Sequence, residues 1–248
     1  MALRVGLLGY GLAGSVFHAP LITATPGLAL ISIVTGHPER QASVRKVYPQ
    51  ARVYESTEAF WAASAEHDLA VIATPTGSHV TLGLAAIEAG LPAVIDKPVA
   101  STASEARRLA AAAAARGTWL SVFHNRRWDG ETLTARKLLD EGLLGTPQRL
   151  ESRFERWRPQ PNAAAWREST PPEGGGGILL DLGSHLVDQA MFLFGRPRSV
   201  YAEVEQRRPG NAAEDDVFIA LEHAGGVRSH LWSSAVAAHL GPSLRLLG

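Results

Sequence analysis

Leu3 to Gly14, LRVGLLGYGLAG, is the stretch from which the fold can be read. Leu3 to Leu8 is a short apolar run, and Gly9-Tyr10-Gly11-Leu12-Ala13-Gly14 ends it in the pattern G-x-G-x-x-G. The first glycine of such a turn permits the reversal. The second lets the backbone approach a pyrophosphate, and the third lets the next helix pack on the strand. Helix N-terminal amides would then hold the phosphates.

Working outward, 28–35 (LALISIVT), 69–74 (LAVIAT), 93–96 (AVID) and 119–123 (WLSVF) are further short apolar runs. Near-continuous apolar runs of this length predict strands buried on both faces. Between them, 78–89 and 102–116 read as helices ended by Gly90 and Gly117, the second opening on Thr102 and Glu105 as a capping box. Strand and helix in alternation predict an α/β fold, a doubly wound parallel sheet over residues 1–122. After about residue 122 the pattern changes. Residues 148–157 (QRLESRFERW) alternate apolar and polar, as an antiparallel strand with one wet face does. A loop over 158–177 leads to a helix from about 178 to 194, and 199–207, 217–223 and 227–232 read as strands. Residues 123–248 are therefore expected to form an α+β domain with a mostly antiparallel open sheet.

Composition narrows the function classes. The chain has 248 residues, 46% of them hydrophobic, with 24 basic against 24 acidic side chains and no cysteine. Such a chain can bury a core. It has no disulfide framework, thiolate metal site or cysteine nucleophile. Without a basic excess, nucleic-acid binding has little electrostatic support. The first apolar run stops at Gly9, far short of the roughly 20 residues of a membrane helix, so a soluble cytoplasmic protein is expected. Only three lysines occur, Lys46, Lys97 and Lys137, which makes a well-placed one conspicuous.

An NAD site places an acid about 20 residues after the glycine turn, at the tip of the second strand. Here the tip reads Thr35-Gly36-His37-Pro38-Glu39-Arg40. A hydroxyl and two basic side chains, Thr35, His37 and Arg40, suit a 2′-phosphate, so NADP is favoured and NAD remains possible. Thr74, Pro75, Thr76 and His79, in Ala73 to His79, follow the third strand on the edge where ligands bind, as do Asp96 and Lys97 of Asp96-Lys97-Pro98. Four glycines, 174–177, lead into ILLDLGSHLVD. At helical spacing Leu179, Leu182, Leu186, Ala190 and Leu193 form an apolar stripe, with Asp181, His185 and Asp188 beside it. An acid one turn from a histidine can orient the imidazole as a general base. The same pair would equally suit the wet face of an amphipathic helix. As metal ligands they lack a third partner, so no metal is expected.

GYGLAG followed by FHAPLI, ATPTGSH, DKP, VFHNRRWD at 122–129 and GGGGILLDLGSHLVDQA at 174–190 occur in order, and together they resemble the Gfo/Idh/MocA family of NAD(P)-dependent sugar and polyol oxidoreductases. The resemblance implies a Rossmann domain followed by a substrate and oligomerisation domain. It implies a catalytic set of Lys97, Asp181 and His185. Asn125 would touch substrate or nicotinamide, and Arg126, Trp166, Arg156 and Arg158 would line the substrate cleft. HNRRWD is similar to a subgroup that includes NADP-dependent inositol dehydrogenases. Relatives commonly form dimers or tetramers and run beyond Leu246-Leu247-Gly248, so a homo-oligomer and an incomplete second sheet are expected. Two rivals compete with a dehydrogenase: an NADP-sensing protein without turnover, and a metal-dependent hydrolase built on His185 and Asp181.

Overall fold

The computed structural model describes residues 2–162 and 164–248. The chain divides into two compact units, one ending at Phe123 and the other beginning at His124.

The first unit is built on β1 (Leu3–Leu8), β2 (Leu28–Val34), β3 (Arg52–Tyr54), β4 (Leu69–Ile72), β5 (Ala93–Asp96) and β6 (Leu120–Phe123). They form one sheet in the order β3-β2-β1-β4-β5-β6, every pair parallel. The order reverses between β1 and β4, and a ligand crevice opens beyond the carboxyl ends of strands at such a point. The helices are α1 (Ala19–Ala24), α2 (Pro38–Val47), α3 (Thr57–Ala62), α4 (His79–Glu88) and α5 (Ala103–Arg116). Two apolar clusters fill the space around the sheet. One holds Leu8, Ile72, Ile95 and Leu109, and the other Val5, Leu7, Ile33 and Val44. The capping box at Thr102 and Glu105 is present, and Gly117 ends α5 with φ 61°, a conformation only glycine adopts without cost. Three-residue β3 gave no apolar run to read, since Arg52 is exposed and Tyr54 half-buried.

The second unit holds α6 (Gly130–Asp140), β7 (Arg149–Glu155), α7 (Trp166–Ser169), α8 (Ser184–Phe194), β8 (Pro197–Glu205), β9 (Asp216–His223), β10 (Arg228–Ser234) and β11 (Leu244–Leu247). Its sheet runs β11-β7-β10-β9-β8. Three of its pairings are antiparallel, among them β7 with β11 as the reading of 148–157 expects, but on its other side β7 lies parallel to β10. Alternation reports that one face of a strand is wet and does not encode its direction. Leu186, Ala190 and Leu193 of α8 pack on Leu150, Val217, Ile219, Leu221 and Leu231, which makes the predicted stripe the core contact. The helix expected over 178–194 is not uniform. Leu179–Gly183 is a π-helical turn, and regular helix begins only at Ser184.

Among the described residues no helix is long and apolar enough to cross a membrane.

Candidate active site

The glycine turn stands at the strand-order reversal of the first unit. Gly9 has φ 101°, donates its N–H to the Val34 carbonyl at 3.0 Å, and would place a Cβ 2.6 Å from the Ala73 carbonyl oxygen at the end of β4. A Cβ on Gly14 would collide with the Gly9 carbonyl. Gly11 is different, because within 4 Å of its Cβ position lies only a guanidinium nitrogen of Arg40, at 3.9 Å. The turn is thus closed by protein at both ends and open in the middle, where backbone can meet a phosphate. Leu12 is exposed and Ala13 half-buried. Tyr10 turns its ring into the core against Tyr48, which leaves its backbone for a ligand.

The tip of β2 also needs correcting. Thr35 is buried, and its hydroxyl accepts the His37 N–H at 3.4 Å while its carbonyl accepts from the Gln41 side chain at 3.0 Å. Its oxygens tie the turn together, and at 6% exposure the hydroxyl has little surface from which to meet a ribose phosphate. His37 and Arg40 remain exposed, and Arg40 reaches over Gly11.

Beyond β4, Ser78 donates to Thr74 Oγ1 at 2.7 Å and lies 2.8 Å from the Pro75 carbonyl, while Thr76 is buried. His79 is 1% exposed, with Nδ1 2.8 Å from the Pro98 carbonyl and Nε2 2.8 Å from the Thr74 carbonyl. Both nitrogens are engaged inside the protein, so His79 is not a cofactor contact but a tie between two loops of the ligand edge. Burial pushes its pKa below the usual histidine value, against the two carbonyls that favour the charged ring. Asp96 is also directed inward. Its carboxylate accepts the Lys97 N–H at 2.9 Å and lies 4.0 Å from Nε2 of buried His18, whose ring lies tilted against Phe123 with centroids 4.3 Å apart. Burial opposes the Asp96 charge, but His18 and the Lys97 N–H prevail and its pKa falls. Lys97 follows at the same edge, half-buried.

In the second unit the residues of the two remaining motifs come together. Asn125 and Arg126 belong to a single 3-10 turn, Asn125–Trp128, and Asn125 is half-buried. Arg126 pairs with Asp129 at 2.8 Å and lies 4.4 Å over the Phe154 ring, which meets the ring of buried His185 edge-on at 6.1 Å. Arg127 grips Asp188 with two hydrogen bonds of 2.8 and 2.6 Å, and His124 lies 3.5 Å from the same carboxylate. Asp188 is therefore the anchor between the HNRRW turn and α8.

Asp181 sits in the π-helical turn, its N–H donating to the Gly177 carbonyl at 3.1 Å. Its carboxylate accepts from Arg167 Nε at 2.9 Å, and the same guanidinium stacks 4.6 Å over the Trp166 ring. The glycines make this possible. A Cβ on Gly176 would collide with the Thr170 carbonyl and one on Gly177 with the Glu214 carboxylate, and Gly177 donates to the Arg167 carbonyl at 2.9 Å. Glu214 in turn accepts the Leu179 N–H at 3.1 Å, and burial raises its pKa. Beneath lies buried Arg208, bound to Asp215 at 2.9 Å and Glu168 at 3.0 Å. Arg167, Glu168 and Arg208 escaped the sequence reading. Only the neighbour relation of Arg167 to Trp166 could have flagged one of them.

A parallel sheet with a glycine turn at its order reversal is the build of a dinucleotide-binding fold, and an α+β unit with an acid and a histidine after a glycine run follows it in the chain. Residues 3–124 match the oxidoreductase family with NAD-binding Rossmann fold, and residues 132–248 match the GFO/IDH/MocA C-terminal domain. The chain belongs to the Gfo/Idh/MocA family. It is 45% identical over 219 residues to the uncharacterized oxidoreductase YdgJ of Escherichia coli, covering 88% of this chain and 61% of that protein. It is 37% identical over 247 residues to the scyllo-inositol 2-dehydrogenase (NADP(+)) IolW of Bacillus subtilis, covering 99% of this chain and 66% of that one. The structure of the YPO2259 putative oxidoreductase from Yersinia pestis superposes with a TM-score of 0.88 at 40% identity, covering all of this chain and 68% of the other. The chain thus spans about three fifths to two thirds of the length of these curated relatives.

Proposed function

We propose that the protein is an NADP-dependent oxidoreductase acting on a secondary alcohol of a sugar or polyol, inositol-like in class. The observation that carries this reading is the glycine turn at the strand-order reversal, open only at Gly11 and overlooked by Arg40. With Gly9 and Gly14 shaping the turn, backbone at Gly11 would hold the pyrophosphate, and Arg40 with His37 the 2′-phosphate. When bound, the nicotinamide supplies the hydride acceptor. His185 takes the hydroxyl proton of the substrate, in a half-apolar setting beside Phe154 that limits competing water. Asp181, itself fixed by Arg167, stabilises the charged ring. Lys97 donates a hydrogen bond to the oxygen as it becomes an alkoxide. Asn125, Arg126 and Trp166 contact the substrate. The exposed Val200, Tyr201 and Val204 of β8 support assembly into a homodimer or homotetramer.

Steady-state assays with NADP and a polyol panel containing scyllo-inositol test the reading. NADPH should form with at least one polyol, and total inactivity with both nucleotides would overturn it.

A further inference from the structure

β7 ends in a short apolar and cationic row. Phe154, Arg156 and Arg158 alternate onto one face of an extended chain, held there as Arg156 and Arg158 donate their N–H groups to Ser234 and Ala235 at 2.8 and 2.7 Å. That face borders a cavity of about 50 Å³ which Asp181, Arg167 and Arg208 also line. The charges in it do not balance. Arg167 is committed to Asp181, and Arg208 to Asp215 and Glu168. Glu214 accepts the Leu179 N–H, and burial raises its pKa. Arg156 is half-buried with no ion pair of its own among the described residues. Burial and its neighbour Arg158 disfavour its charge, with Arg126 and Arg167 adding to the effect and Asp181 opposing it. A guanidinium at such a place costs free energy unless an anion meets it.

We propose that this cavity is a subsite for an anionic arm of the substrate, a carboxylate or a phosphate on the sugar or polyol, received by Arg156 with Arg158 at the mouth. A cavity of this size has room for the few heavy atoms of such a group but not for a sugar ring, given that one water needs about 10–15 Å³. The ring therefore lies outside, near Asp181, and the arm points inward. Guanidinium forks match both anions in a two-bond geometry. The inference rests on the oxidoreductase reading for the word substrate, and on Arg156 alone for the anion.

The test compares matched probes in the NADP-linked assay: D-glucose against D-glucuronate and D-glucose 6-phosphate, and D-glucitol against D-gluconate. In parallel, calorimetry measures D-gluconate binding to the NADP-loaded protein. At least one acid should exceed its neutral counterpart about tenfold in kcat/KM. Whether the favoured member is a carboxylate or a phosphate identifies the arm. Arg156→Gln should shrink that preference about tenfold, and Arg156→Lys should restore part of it because charge survives without the fork. Neutral members equal to or better than every acid overturn the proposal, as does an equal loss on both members in Arg156→Gln. Should none of these probes turn over, calorimetry decides the subsite, and the redox reading stands or falls with the polyol panel. Gluconate binding that is weakened by Arg156→Gln sustains it, and no acid binding overturns it.

Discussion

Two glycine-rich turns feed two π-opened helices in this chain, one in each unit, and they use the same residue for opposite ends. At Gly9–Gly14 the protein closes on the first and last glycine and leaves the middle one bare, so the missing side chain makes room for something outside the chain. At Gly174–Gly177 the chain itself takes the room: the Thr170 carbonyl fills it at Gly176 and the Glu214 carboxylate at Gly177. The first turn is a receptacle. The second is a joint that draws the Arg167 segment, Glu214 and the π-helical turn close enough for Arg167 to hold Asp181. Each glycine turn runs into a π-helical stretch, Ala13–His18 and Leu179–Gly183, and such stretches are frequent at functional sites. What separates receptacle from joint is which atoms stand where Cβ would be.

The largest effect should come from the helix beyond the joint. His185→Ala removes the proposed base and should cut turnover by about 100-fold or more while NADP affinity, governed by the first turn, is retained. The acidic limb of the pH–rate profile should vanish with it. Turnover within about tenfold of the parent, roughly 1.4 kcal/mol, would show that His185 is not the base.

A crossed pair of glycine substitutions comes next. Gly11→Val should weaken nucleotide binding about 30-fold, roughly 2 kcal/mol, and leave the melting temperature nearly in place, because the space it fills is outside the protein. Gly177→Ala, at φ 94° and against the Glu214 carboxylate, should lower the melting temperature by about 5 °C and spare nucleotide affinity. If the two variants fail in the same assay, the distinction between receptacle and joint is wrong.

The first turn was legible in the sequence because its meaning is local: a strand, three glycines at fixed spacing and a helix start all lie within 16 residues or so. Gly117 and the capping box before α5 were legible for the same reason. The direction of β7 was legible toward one neighbour only: it runs antiparallel to β11 but parallel to β10, some 80 positions on, and alternation is blind to direction. Thr35 was misread for a subtler cause. A hydroxyl at a strand tip looks like a donor to a ligand until the turn behind it buries the side chain, as happens to Thr35 here. His79 was misassigned because sequence places a residue on an edge without saying which way its ring points. The Arg167–Asp181 pair depended on 158–177 folding back, and that fold-back depends on space at Gly176 and Gly177 that no residue spacing announces.

Arg40 sharpens the account of the receptacle. With Thr35 buried, the 2′-phosphate preference falls on Arg40 and His37, and Arg40 stands nearest Gly11. Arg40→Ala should weaken NADP about tenfold and leave NAD within about twofold, since a charge-assisted contact to the extra phosphate is the only one lost. Titration of both nucleotides by fluorescence checks it. An equal loss for both would make Arg40 a pyrophosphate contact and remove the basis for NADP selectivity.

The smallest effect belongs to the opposite edge of the same sheet, where the strands begin and no ligand is expected. Arg4, at the start of β1, donates Nε and Nη2 to Asp68 at 3.0 and 2.9 Å, and its N–H adds a third bond at 2.8 Å. These bonds hold the Asp68 carboxyl down to about 2, the Arg4 side chain being the main cause. A carboxylate with a depressed folded pKa adds stability above its unfolded value, near 4, and that stability is lost as pH falls through about 2. Asp68→Asn keeps an acceptor for the Arg4 N–H and removes only the charge. Its melting temperature should lie slightly below the parent at pH 6 and converge with it below about pH 2, and the gap should narrow in high salt because the pair is exposed. A constant gap from pH 6 to pH 2 would mean that shape rather than charge joins these two strands. In that case the ligand edge and the far edge of the sheet would differ in what they bind but not in how they are held.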